Sequence, residues 1–139
     1  MNNDLIFLPV LAHVMLIFTL YMYLGILKSR AVRDGRVDRK KTALNAKAWP
    51  DPIVKVLNNL DNQFESPVIF YIICVICYLT NHVDSSLVAI LSFYVLTRYM
   101  HAYIHVTSNY VPYRFKLFLV GGLILLALTL WLVIKLIAV

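Results

Sequence analysis

Two polar stripes interrupt an otherwise apolar chain, and both carry groups able to do chemistry. The stretch Asn58-Asn59-Leu60-Asp61-Asn62-Gln63-Phe64-Glu65 runs without a break into the apolar Ser66-Pro67-Val68-Ile69-Phe70-Tyr71. On a helix Asn58, Asp61, Asn62 and Glu65 share one face, so two carboxylates and two amides point the same way. Arg98, His101 and His105, at i, i+3 and i+7, make a second one-faced stripe. The polar connection Asn81-His82-Val83-Asp84-Ser85 between them is short and makes the two helices an antiparallel hairpin. With the turn centred near 83 or 84, residue n stands level with about 167 − n, so Glu65 meets the level of His101 and Asp61 that of His105. Arg98 lies one turn deeper. A charge in mid-membrane costs about 2.5–3.5 kcal/mol on insertion scales, so these groups are expected to pair and face the interior, most simply Glu65 with Arg98.

Three kinds of site fit that constellation. A cleft between helices, open to one side of the membrane, accounts for four polar positions in two turns. An ion-pair network that holds the helices together is the structural alternative. A metal site is the third: Asp61 and Glu65 are i, i+4 on one helix and His101 and His105 i, i+4 on the other, although Arg98 would repel a cation and no Glu-x-x-His repeat is present. Cys74 and Cys77 have C-x-x-C spacing but lie among Ile and Val in mid-run, where a thiol is inert packing. His13, alone in its run, reads as a buried histidine satisfied by a neighbouring carbonyl.

The elements that position these residues are membrane spans. Of 139 residues 61% are hydrophobic and 14% charged, and the mean hydropathy of +0.76 excludes an ordinary soluble domain of this length. Four apolar runs are expected to span, over about 5–27, 58–80, 86–107 and 115–138. The first lacks a basic leader and a small-residue cleavage site and reads as a retained helix. Pro67 predicts a kink in the second, which starts near Ile53 after Trp49-Pro50-Asp51-Pro52. Gly121-Gly122 permits close helix approach in the fourth, and Lys135 near its end can snorkel. The net charge of +6 is not a nucleic-acid signature. Nine of the thirteen basic residues lie between Lys28 and Lys55, which by the positive-inside rule makes the 28–57 loop cytoplasmic and both termini external. That loop is also suited to anionic lipid headgroups.

Taken together, Asn62-x-x-Glu65 ahead of a Pro-containing apolar helix, Arg98-x-x-His101, and Pro112-x-Arg114 opening the last helix resemble the MAPEG superfamily, membrane-associated proteins in eicosanoid and glutathione metabolism. The resemblance spans the chain and is to a divergent, bacterial-type member in an inner membrane. It implies an all-α bundle of four transmembrane helices assembled as a homotrimer, with glutathione as cofactor, a lipophilic small molecule as second substrate, and transferase or peroxidase activity. It implies further that Asn62, Glu65, Arg98, His101 and His105 hold the glutathione, with Arg30 the first-helix arginine of the site. Arg114 is then the catalytic cation that favours the thiolate. The sequence departs from the pattern at Asn58 and Asp61, where relatives often carry arginine, at His105, where tyrosine is common, and at Phe115 and Phe118, where some carry hydroxyls. Those departures frame the alternative: a lipid-binding or structural trimer that has lost the glutathione site.

Overall fold

The computed structural model describes residues 2–137. Helix α1 (Phe7–Arg33), entered through a 3-10 turn at Asn3–Ile6, is followed by a short α2 (Arg39–Leu44), α3 (Asp51–Gln63), α4 (Pro67–Leu79), α5 (Ser85–Val106) and α6 (Val111–Ile137). Four continuous or nearly continuous helical segments, Asn3–Arg33, Asp51–Leu79, Ser85–Val106 and Val111–Ile137, are long and apolar enough to cross a membrane. Large apolar side chains are exposed along all four segments, among them Leu8, Phe18, Ile72, Phe93 and Leu126. The last segment is the most apolar of the four, yet only 22% of its spanning window is buried within the chain, the inverse of a soluble helix and the arrangement lipid demands.

Three boundaries differ from expectation. α1 continues to Arg33 because Arg30 and Arg33 fall in its last turn, where cations complement the free carbonyls; Gly35, at φ 66°, then turns the chain away. Within the basic loop, Asp38 caps α2 by accepting from the backbone N–H groups of Lys40 and Lys41. The expected kink at Pro67 is a complete break: α3 stops at Gln63, residues 64–66 are non-helical, and Pro67 occupies the first position of α4, where its missing N–H costs nothing. The fourth helix is described to Ile137, and its expected end at residue 138 lies outside the described residues.

The interior is divided into two apolar clusters. One joins α4, α5 and α6 around Phe70, Cys74, Cys77, Leu91 and Tyr94. The other joins α1 and α3 around Leu16, Leu20, Val56 and Leu60. Both cysteines are free and fully buried. The two adjacent glycines serve differently. A Cβ on Gly121 would stand 3.3 Å from Tyr94 Cε2 and 3.4 Å from Thr97 Oγ1, whereas one on Gly122 would meet nothing within 4 Å. Gly121→Leu is therefore expected to destabilise the protein by about 1–3 kcal/mol through overpacking, and Gly122→Ala to leave stability within about 0.5 kcal/mol of wild type. Unfolding in mixed detergent micelles followed by circular dichroism measures both.

Candidate functional site

Between the two apolar clusters, where each helix passes from one to the other, lies a belt of buried polar side chains. His13 of α1, Asn59 and Gln63 of α3, and Arg98 of α5 are each no more than 2% exposed. Gln63 is their hub. Its Oε1 accepts from Arg98 Nη2 at 3.3 Å and lies 3.1 Å from His13 Nε2, and its Nε2 donates to Asn59 Oδ1 at 2.8 Å. Asn59 Nδ2 donates to the carbonyl of Ala102 at 3.2 Å. With the Gln63 oxygen acting as acceptor, His13 is a donor through Nε2, which leaves its Nδ1 to accept from the Tyr71 hydroxyl at 2.6 Å. Arg98 Nη2 also donates to the carbonyl of Asn62 at 2.9 Å, one of the carbonyls freed where α3 ends.

This belt corrects the expected pairing. Glu65 and Arg98 form no ion pair: Glu65 is exposed, in the break between α3 and α4, and the guanidinium is satisfied by an amide and a helix-terminal carbonyl. Nor does the Asn58, Asp61, Asn62, Glu65 face turn inward. Asn58 and Asp61 are exposed and Asn62 half-buried, while Asn59 and Gln63 are completely buried. His13 is also buried, bonded to side chains rather than to a carbonyl. The apolar sequence held the signal. Ile53, Val56 and Leu60 are all buried, and continuing their i, i+3, i+4 spacing places Gln63 on the same inward face.

In front of the belt, a cleft of about 260 Å³ opens between the end of α3 and the start of α6. Asn62, Glu65 and His101 form one side, and Val111, Arg114, Phe115 and Phe118 form the other, all four from one face of α6. Arg114 is oriented by the turn before its helix. Asn109, at φ 54°, closes α5 with its N–H donating to the Ile104 carbonyl at 2.7 Å, and its Oδ1 accepts from Arg114 Nη1 at 2.6 Å. Arg114 Nε and His101 Nδ1 are buried without partners. One unpartnered nitrogen on each side of the cleft, with the Asn62 amide and the Glu65 carboxylate beside them, suits a ligand with both anionic and cationic ends.

The other expected site residues lie elsewhere. His105 is buried behind the cleft with its ring 5.7 Å from that of His101 and neither nitrogen bonded. Arg98 does not line the cleft and is joined to it through its bond to the carbonyl of Asn62. Arg30 is exposed on α1 in a separate groove with Met22, Gly25 and Ile26. The metal alternative is not supported by the geometry: among the described residues no three His, Cys, Asp or Glu side chains converge, and Asp61 is exposed and outside the cleft.

The sequence model described as the MAPEG family matches residues 7–134 of the chain. No curated protein and no solved structure matches it.

Proposed function

The chain belongs to the MAPEG family, and on that premise we propose that it binds glutathione or a closely similar thiol in the Asn62–Glu65–His101–Arg114 cleft and transfers it to a lipophilic electrophile, or reduces a lipophilic peroxide with it. The observation carrying this reading is the convergence of those four side chains from α3, the α3–α4 break, α5 and α6 on one cleft, with Arg114 Nε and His101 Nδ1 unpartnered. Glutathione offers two carboxylates, an ammonium and two peptide groups. The guanidinium and imidazole fit the carboxylates or the sulfur, Glu65 the ammonium and Asn62 a peptide group. When bound, the thiol supplies the nucleophile. Arg114 holds it as the thiolate, and Phe115 and Phe118 form an apolar wall for the second substrate.

A cleft of about 260 Å³ falls just below the usual range for a small-molecule site. In this reading a neighbouring subunit of a homotrimer, the assembly the family resemblance implies, completes the site, with Arg30 reaching the cleft of the next copy. The membrane is a bacterial inner membrane with the 28–57 end of the bundle cytoplasmic.

Titration calorimetry on the detergent-purified protein tests the reading. Glutathione is expected to bind at millimolar concentration or below, and Arg114→Ala to weaken binding at least tenfold. Absence of binding to the wild type, or equal binding to Arg114→Ala, would overturn it. The second reading, a lipid-binding trimer without catalysis, is favoured by Phe115 and Phe118 alone and predicts co-purified lipid that glutathione does not displace.

A further inference from the structure

A second pocket lies away from the cleft, at the basic end of α1. It has a volume of about 580 Å³ and is framed by Lys28, Ser29 and Arg33 of α1, Arg39 and Thr42 of α2, and Trp49. None of the residues lining it is acidic. The carboxylates nearby are engaged. Asp34 pairs with Arg36 at 2.9 Å and Arg33 at 3.7 Å, and Asp38 caps α2 and lies 3.9 Å from Lys41. Lys28 and Arg39 form no ion pair among the described residues. Lys28 Nζ instead sits 4.9 Å from the centre of the Trp49 ring, which brings together an ammonium and an indole, a pairing suited to the headgroup level.

A second groove adjoins the chamber through Ser29 and Arg33, which border both, and continues down α1 along Gly25, Ile26 and Met22. Those positions fall on one helical face. Gly25 leaves it open, since a Cβ there would meet nothing within 4 Å, and Met22 is 70% exposed. A cationic pocket thus runs into a trough, basic at Arg30 and Arg33 and apolar at Gly25, Ile26 and Met22, that follows a helix long and apolar enough to cross a membrane.

We propose that this bipartite site binds an anionic glycerophospholipid, its phosphodiester between Lys28, Arg33 and Arg39 and one acyl chain along Gly25, Ile26 and Met22. The shared chemistry of the headgroup and of a free phosphate ester is the phosphate oxyanion; the trough commits the site to the lipid. The assignment uses no residue that lines the Asn62–Arg114 cleft of the same chain, although Arg30 also borders the trough.

Native mass spectrometry of the full-length protein released from detergent, offered phosphatidylglycerol, phosphatidylcholine or inorganic phosphate, tests it. The wild type is expected to retain phosphatidylglycerol at least tenfold more than phosphatidylcholine. Lys28→Ala/Arg39→Ala should abolish that preference, and Lys40→Ala/Lys47→Ala, which removes the same charge outside the chamber, should preserve it. Gly25→Leu, which blocks the trough without altering charge, should lower retention of the lipid, and Lys28→Arg/Arg39→Lys should restore it relative to the alanine pair. Equal loss from the two alanine pairs would reduce the effect to the net charge of the loop and overturn the site. Inorganic phosphate competing as well as the lipid, or unchanged retention in Gly25→Leu, would overturn the lipid assignment.

Discussion

Gln63→Leu is expected to destabilise the protein by about 3–5 kcal/mol, the range for removing one partner of a buried charge, and Arg98→Met by only about 1–3 kcal/mol. The asymmetry follows from what each leaves behind. Without Gln63, the Arg98 guanidinium keeps the Asn62 carbonyl at 2.9 Å as its one hydrogen-bond acceptor, and His13 Nε2 and Asn59 Oδ1 both lose their partners. A cation then remains in a membrane interior with too few acceptors. Without Arg98 the charge itself is gone, Gln63 stays bonded to His13 and Asn59, and only the end of α3 loses a donor.

The same reasoning gives the double variant a sign. Adding Arg98→Met to Gln63→Leu should recover stability, because it removes the charge that the first substitution stranded. Detergent-induced unfolding monitored by circular dichroism reads all three variants. Additive losses in the double variant would mean that Arg98 stabilises through packing alone and that Gln63 is not its counterpart. Because Arg98 also bonds the Asn62 carbonyl, its loss is expected to loosen the cleft wall even where stability is recovered.

That belt is also where sequence reading and structure part. The four spans were legible because about twenty consecutive apolar residues have no other common solution, and the α3–α4 break was legible from Pro67 as a kink. The phase of α3 was not. In the octet 58–65 only Leu60 and Phe64 are apolar, so polarity alone does not choose between the Asn62/Glu65 face and the Asn59/Gln63 face. Ile53, Val56 and Leu60 upstream decide it. His13 follows the same rule on α1, lying in register with the buried Pro9, Leu16, Leu20 and Leu24.

The partner of Arg98 was misassigned for a different reason. Charge complementarity favours a carboxylate, but a helix that ends inside the protein presents free carbonyls and a negative dipole end, and these satisfy a guanidinium without a second charge. Glu65 is thereby left exposed at the cleft. Of the pairs expected to stand level across the hairpin, Glu65 and His101 do line one cleft, whereas Asp61 is exposed and outside it.

The largest functional effect is expected at Arg114. If the cleft holds a thiol as proposed, Arg114→Ala should lower the rate of conjugation to an aryl halide by about 10²–10³-fold, the range for removing one preorganised electrostatic donor. The S–C bond forms as the halide leaves, so the thiolate fraction sets the rate, and ultraviolet thiolate absorbance of the bound complex should fall in parallel. Arg114→Lys keeps the charge but not the planar fork that both meets Asn109 and leaves Nε free, and should fall between the two. Asn109→Gly separates position from charge. Glycine tolerates the φ of 54°, so the turn survives while the 2.6 Å bond that aims the guanidinium is lost. Its kcat should drop less than that of Arg114→Ala, and the thiolate signal should remain. Wild-type turnover and an unchanged thiolate signal in Arg114→Ala would show that this cation does not activate sulfur. The apolar wall of Phe115 and Phe118 would then be the working part of the cleft.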